Sequence, residues 1–144
     1  MKILKSLFVL LFVGLTVNAQ DISSSEVPTT IQSQFKQAYK NATDIEWEKE
    51  MNNYKVEFEI NRMDYEVWYS ETGEQVKFEK EIQPNELPTA VTTAIKTNYS
   101  DYSIDDCEMR KVEGRTTYMI ELEKWFNEID VVYNKKGKLL RETK

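Results

Sequence analysis

Residues 54–59 read Tyr-Lys-Val-Glu-Phe-Glu, and residues 118–123 read Tyr-Met-Ile-Glu-Leu-Glu. Each stretch alternates apolar and polar side chains, the period of a strand buried on one face and wet on the other. The correspondence continues downstream at the same offset of 64. Tyr65-Glu66-Val67-Trp68-Tyr69 matches Ile129-Asp130-Val131-Val132-Tyr133, and Gly73 matches Gly137. Upstream the offset is 60, where Val27-Pro28-Thr29-Thr30-Ile31 matches Leu87-Pro88-Thr89-Ala90-Val91 and Tyr39 matches Tyr99. The change of offset places four extra residues in the second copy, in the turn that holds Gly114.

Each copy opens on a proline, which suits a first helical turn because its missing N–H would be unpaired there. Ile31, Phe35, Ala38 and Tyr39 then fall on one helical face, as do Val91, Ala94, Ile95 and Tyr99. After the helix the period drops to two. Strands are expected near 45–47, 54–60, 64–69 and 75–79, and again near 104–112, 117–124, 128–134 and 138–142. Asn52-Asn53, Asn61-Arg62 and Lys136-Gly137 supply turn chemistry between them. The fold class is therefore α+β: a tandem repeat of one helix followed by about four antiparallel strands, with the helices packed on the sheet. The repeats span 26–82 and 86–144, and the short join Gln83-Pro84-Asn85-Glu86 makes 20–144 a single domain.

The first nineteen residues read as a targeting signal. Lys2 and Lys5 precede an apolar run from Leu7 to Leu15, and Val17-Asn18-Ala19 resembles a signal-peptidase site. Cleavage after Ala19 leaves 125 residues with 17 Lys or Arg and 25 Asp or Glu, a net charge of −8. The expected location is the periplasm or the exterior, with no membrane span after cleavage.

The 144-residue chain has no histidine and one cysteine, Cys107. That excludes Ser-His-Asp and Cys-His catalysis, histidine metal ligands and an internal disulfide. The acidic balance argues against nucleic acid, whose backbone needs clustered bases. No enzyme activity and no cofactor are expected. Cys107 reads as a small apolar strand residue.

The signal, the two Val/Leu-Pro-Thr helix starts and the Tyr-x-Val/Ile-Glu-Phe/Leu-Glu strands together resemble the PepSY-like, beta-lactamase-inhibitor-like exported proteins of Bacteroidetes-type bacteria. The resemblance covers residues 26–144. It implies a helix-plus-antiparallel-sheet fold in the cell envelope and, by likeness to the inhibitors, partner binding through a concave sheet face and protruding loops. No inhibitory motif maps onto this chain residue by residue.

Four residues are candidates for partner contact. By alternation Trp68 falls on the outer face with Asp64 and Glu66, and Met119 shares that face. Trp125 and Phe126 fall at the tip of the second repeat's central hairpin. Exposed aromatics flanked by charge are favoured anchors at interfaces. The function expected is engagement of an envelope or secreted protein or peptide through the sheet face and hairpin tips, as an inhibitor or accessory factor. The alternative is a small-ligand or cation-binding envelope module using the acidic face of Glu57, Glu59, Glu66, Glu121, Glu123 and Asp130. No Asp-x-Asp-x-Asp-Gly loop supports calcium, and Asp105-Asp106 with Glu108 is a sparse cation cluster. Intact-mass measurement of the exported chain should place its N-terminus at Gln20; a mass retaining Met1–Ala19 would contradict processing there.

Overall fold

The structure, a computed structural model, describes residues 19–144. The expected targeting segment lies outside these residues apart from Ala19. Two α-helices, α1 (Thr29–Ala38) and α2 (Thr89–Asn98), begin directly after Pro28 and Pro88. Ile31 and Phe35 are the buried residues of α1, and Val91 and Ile95 those of α2. Burying such side chains contributes about 2 kcal/mol each. Short 3-10 turns at Ser24–Glu26 and Pro84–Glu86 lead into the helices. In each turn the Glu at its third position accepts the backbone N–H three residues back, at Ser23 and Gln83, both 2.8 Å.

Nine strands form one antiparallel sheet in sequence order: β1 (Ala19–Ile22), β2 (Thr43–Glu50), β3 (Asn53–Ile60), β4 (Met63–Ser70), β5 (Gln75–Glu81), β6 (Ser103–Val112), β7 (Arg115–Lys124), β8 (Asn127–Asn134) and β9 (Leu139–Thr143). Helix α1 is followed by β2–β5 and α2 by β6–β9. The two halves join through β5 and β6, where Phe78 faces Lys111 and Glu79 faces Arg110. Both helices lie on one sheet face over two separate cores. The first gathers Ile31, Phe35, Trp47, Val56, Phe58 and Val67. The second gathers Val91, Ile95, Ile120, Leu122, Val131 and Tyr133. Phe35 meets Trp47 and Phe58 edge-on, with ring centres 5.4 and 5.0 Å apart.

Two features differ from the sequence reading. The four extra residues of the second copy do not enlarge a turn: Met51-Asn52 and Glu113-Gly114 are both two-residue connections. They lengthen β6 and β7 to 10 residues each, against 8 in β2 and β3. The second difference is β1, a four-residue edge strand pairing Ala19 with Glu50 and Ile22 with Trp47. Cys107 is buried and is the counterpart of Trp47 in the second core. Burial pushes its thiol up to about 12, with Asp106 adding repulsion, so it is inert as a nucleophile.

The turn glycines tie strands to helices. Gly137 has φ +76°, and a Cβ there would lie 2.4 Å from the Ala90 carbonyl oxygen of α2. Gly114 has a similar φ of +75° but nothing within 4 Å. Left-handed backbone costs an alanine about 1–2 kcal/mol. Denaturant unfolding should therefore show Gly114→Ala losing about that amount and Gly137→Ala losing clearly more; equal losses would remove the helix–turn contact as a constraint.

Candidate functional site

The face without helices carries the charge. Its strand register puts like charges directly opposite one another: Glu46 faces Glu57, Glu57 faces Glu66, and Glu66 faces Glu79. In the second half Asp106 faces Glu121, which faces Asp130. Such pairs destabilise a sheet unless something neutralises them.

Three bases do part of that work. Lys55 is in ion-pair contact with Glu57, Glu66 at 3.1 Å and Glu48 at 3.8 Å. Burial alone would pull its ammonium down, but these carboxylates outweigh it and hold it well above the ordinary lysine value. Glu79, only 6% exposed, is held between Lys77 at 2.8 Å and Arg110. Farther along the face such partners run out. Among the described residues, none of Glu46, Glu59, Asp64, Asp106 and Glu121 enters an ion pair with a base.

The face is hollowed, with a volume of about 580 Å³. Twelve of the residues around the hollow are Asp or Glu, and one is a lysine, Lys80. By alternation with Glu79 the Lys80 side chain turns toward the helix side, where it pairs with Glu86 at 3.4 Å. The crowding shows in the protonation of the carboxyls. Burial, reinforced by Glu79, raises Glu108 to about 8 against the pull of Arg110. Burial and then Glu128, Asp105, Asp130 and Asp106 raise Glu121 to about 7. Glu66 and Asp106 are raised as well, each chiefly by burial. No group of three or more acid or thiol side chains among the described residues is arranged to hold a metal ion.

The four candidate contact residues separate into two pairs. Trp68 and Met119 lie on the outer face, as alternation requires, but they are not exposed: 6% and 4% of their surfaces are accessible. This corrects the expectation of an aromatic patch. Lys77 and Lys55 cover the Trp68 ring, with ammonium-to-centroid distances of 3.6 and 5.3 Å, and the indole N–H donates to Glu50 at 2.8 Å. Met119 lies between Glu108 and Val132 on the adjacent strands. Both residues support the floor of the face.

Trp125 and Phe126 do form the β7–β8 tip, 84% and fully exposed. Trp125 has φ +58°, an uncommon conformation for a bulky side chain. Antiparallel succession puts this tip at the same end of the sheet as Asp44, Asp64 and Asp105, three of the acids around the hollow. Alternation and tip position locate these features in sequence; the opposed carboxylates need the cross-strand register, which alternation does not specify.

The raised carboxyls set a sign for pH dependence. Each binds protons more tightly folded than unfolded, so its stabilisation is complete below about 4.5 and is lost as pH rises through the folded value near 7 to 8. Thermal melting should therefore give a higher Tm at about pH 5.5 than at about pH 8.5. A Tm that rises across that interval would refute the protonated face.

The sheet and its helix layer have counterparts in known proteins. The family model described as beta-lactamase-inhibitor-like, PepSY-like matches residues 15–74 and 52–141. A BLIP-like protein from Bacteroides fragilis is 28% identical, with a TM-score of 0.65 over 80% of this chain and 84% of that one. A protein from Bacteroides eggerthii classed as periplasmic is 24% identical, with a TM-score of 0.70 over 81% and 88%. A DUF2874 family protein from Bacteroides uniformis is 19% identical, with a TM-score of 0.69 over 81% and 88%. No curated protein matches the chain. No helix among the described residues is long and apolar enough to cross a membrane. The chain belongs to the beta-lactamase-inhibitor-like, PepSY-like family.

Proposed function

We propose that the chain is an exported, non-enzymatic binding protein of the periplasm that takes a basic protein or peptide segment, in an inhibitory or accessory role. The hollow receives the cationic side chains, and Trp125 and Phe126 anchor an apolar surface of the same partner beside it. The supporting observation is a hollow lined by twelve acids, whose one lysine, Lys80, turns away to the helix side. Partner cations would supply the neutralisation that Lys55, Lys77 and Arg110 provide only on their own part of the face. The exposed tip adds apolar area that a solvated turn does not need, and large aromatics are typical interface anchors. The likeness to the BLIP-like protein of Bacteroides fragilis supports a binding module.

Pull-down from envelope extract tests this reading. Wild type should capture a basic protein at about pH 8 and release it as pH falls, because protonation removes the charge that holds it. Trp125→Ala/Phe126→Ala should keep the wild-type Tm, as neither side chain is packed, and lose the partner. Equal recovery by the variant, or capture that strengthens on acidification, would sink the proposal.

A further inference from the structure

Charge is strongly segregated along this chain. Residues 19–134 hold 12 Lys or Arg against 24 Asp or Glu, whereas the last ten hold 5 against 1. These ten residues, Lys-Lys-Gly-Lys-Leu-Leu-Arg-Glu-Thr-Lys, form the β8–β9 turn and the edge strand β9. The single acid, Glu142, is occupied by the Tyr99 hydroxyl, which donates to it at 2.5 Å. Lys135, Lys136 and Lys138 are exposed, and among the described residues none has a carboxylate within ion-pair distance. Leu139 and Leu140, 41% and 51% exposed, follow directly.

The lysines are not needed to build the turn. Asn134 does that: its side-chain oxygen accepts the backbone N–H groups of Lys136 and Lys138 at 2.9 and 3.1 Å, and its carbonyl accepts that of Gly137 at 3.0 Å. The corresponding turn of the first repeat makes the same backbone bond from Gly73 to Ser70, at 2.9 Å, with Glu71, Thr72 and Glu74 in the lysine positions. One turn geometry thus carries opposite charge in the two repeats. Lysines on an edge strand commonly discourage edge-to-edge pairing. Lys135 and Lys136, however, lie on the turn, off the edge.

The geometry points to the β8–β9 turn and the start of β9 as a docking surface for an anionic phospholipid membrane. The lysines would meet the headgroups, and Leu139 and Leu140 would enter the interfacial layer. Lysine is depleted in protein interfaces, where arginine is preferred, yet each lysine near an anionic bilayer adds to its binding. The surface is a projecting turn and strand edge, suited to a deformable layer. The Trp125-Phe126 tip lies at the other end of the eight-residue strand β8, about 25 Å away. Docked this way, the protein would hold the Trp125-Phe126 tip away from the bilayer.

Vesicle co-sedimentation of the exported, processed chain tests the idea. The vesicles contain either phosphatidylcholine alone or about one-third phosphatidylglycerol, at low and at physiological salt. The expected result is binding to the anionic vesicles only, weakened by salt. It should fall about tenfold or more in Lys135→Glu/Lys136→Thr/Lys138→Glu, which borrows the first repeat's turn chemistry and so should fold, and several-fold in Leu139→Ser/Leu140→Ser. No preference for anionic vesicles at low salt, or unchanged binding by the lysine variant, would overturn the proposal. So would tighter binding to soluble polyglutamate than to the vesicles, which would indicate an acidic protein as partner.

Discussion

Two ten-residue helices can cover only one face of a nine-stranded sheet, and most of the structure follows from that limit. The covered face takes the apolar half of most alternations and divides into two cores, one under each helix. The other face must live with water, so its side chains are charged. Because β2 to β7 bring that face around a hollow, the charges are crowded and partly withdrawn from solvent. Neutralisation then becomes a local matter, supplied by Lys55 to three carboxylates, by Lys77 and Arg110 to Glu79, and more distantly by Arg110 to Glu108. Where no base is present, carboxyls such as Glu121 hold protons near neutral pH instead.

The two repeats serve as a control within one molecule. What both retain is structural: the proline before the helix, the buried pair on its inner face, and the turn glycine with left-handed φ at Gly73 and Gly137. Where they differ, the fold does not decide the residue. Trp47 is replaced by Cys107 at equivalent core positions, with Phe58 giving way to Leu122, so the first core is built on edge-to-face rings and the second more on aliphatic packing. The Asn61-Arg62 tip becomes Trp125-Phe126. Both tips close in two residues, so the aromatic pair is not a requirement of the turn.

Helices and strands were legible because hydrophobic period is a property of single segments. Helices α1 and α2 and eight of the nine strands fall within a few residues of where that period places them. Strand β1 was hidden: Ala-Gln-Asp-Ile is too short to show alternation, and its first residue also completes a cleavage-like motif. The extra residues near Gly114 look like a longer turn because Lys111, Glu113 and Arg115 are polar, yet an exposed hairpin end can be polar and still paired. Trp68 shows a different limit. Alternation assigns a side chain to a face but says nothing of what lies over it. The lysines that cover its ring come from the neighbouring strands β3 and β5, opposite it in the register.

The same missing information, register, conceals the strongest functional signal. Read along the chain, Glu57, Glu66 and Glu79 are ordinary wet-face acids spaced among apolar residues. Read across the strands, they stand side by side. Such a row is repulsive unless a proton or a positive charge relieves it, as Lys55, Lys77 and Arg110 do for these three. These two forms of relief compete. A proton taken up by Glu108 or Glu121 stabilises the isolated domain but weakens its attraction for a cation, whereas a bound cation drives the proton off. A face built for stability alone could interleave lysines along its whole length, as it does around Lys55. It instead leaves Glu46, Glu59, Asp64, Asp106 and Glu121 without an ion pair to a base, in a sheet whose β7–β8 tip exposes two aromatics, and binding is the process that both features favour.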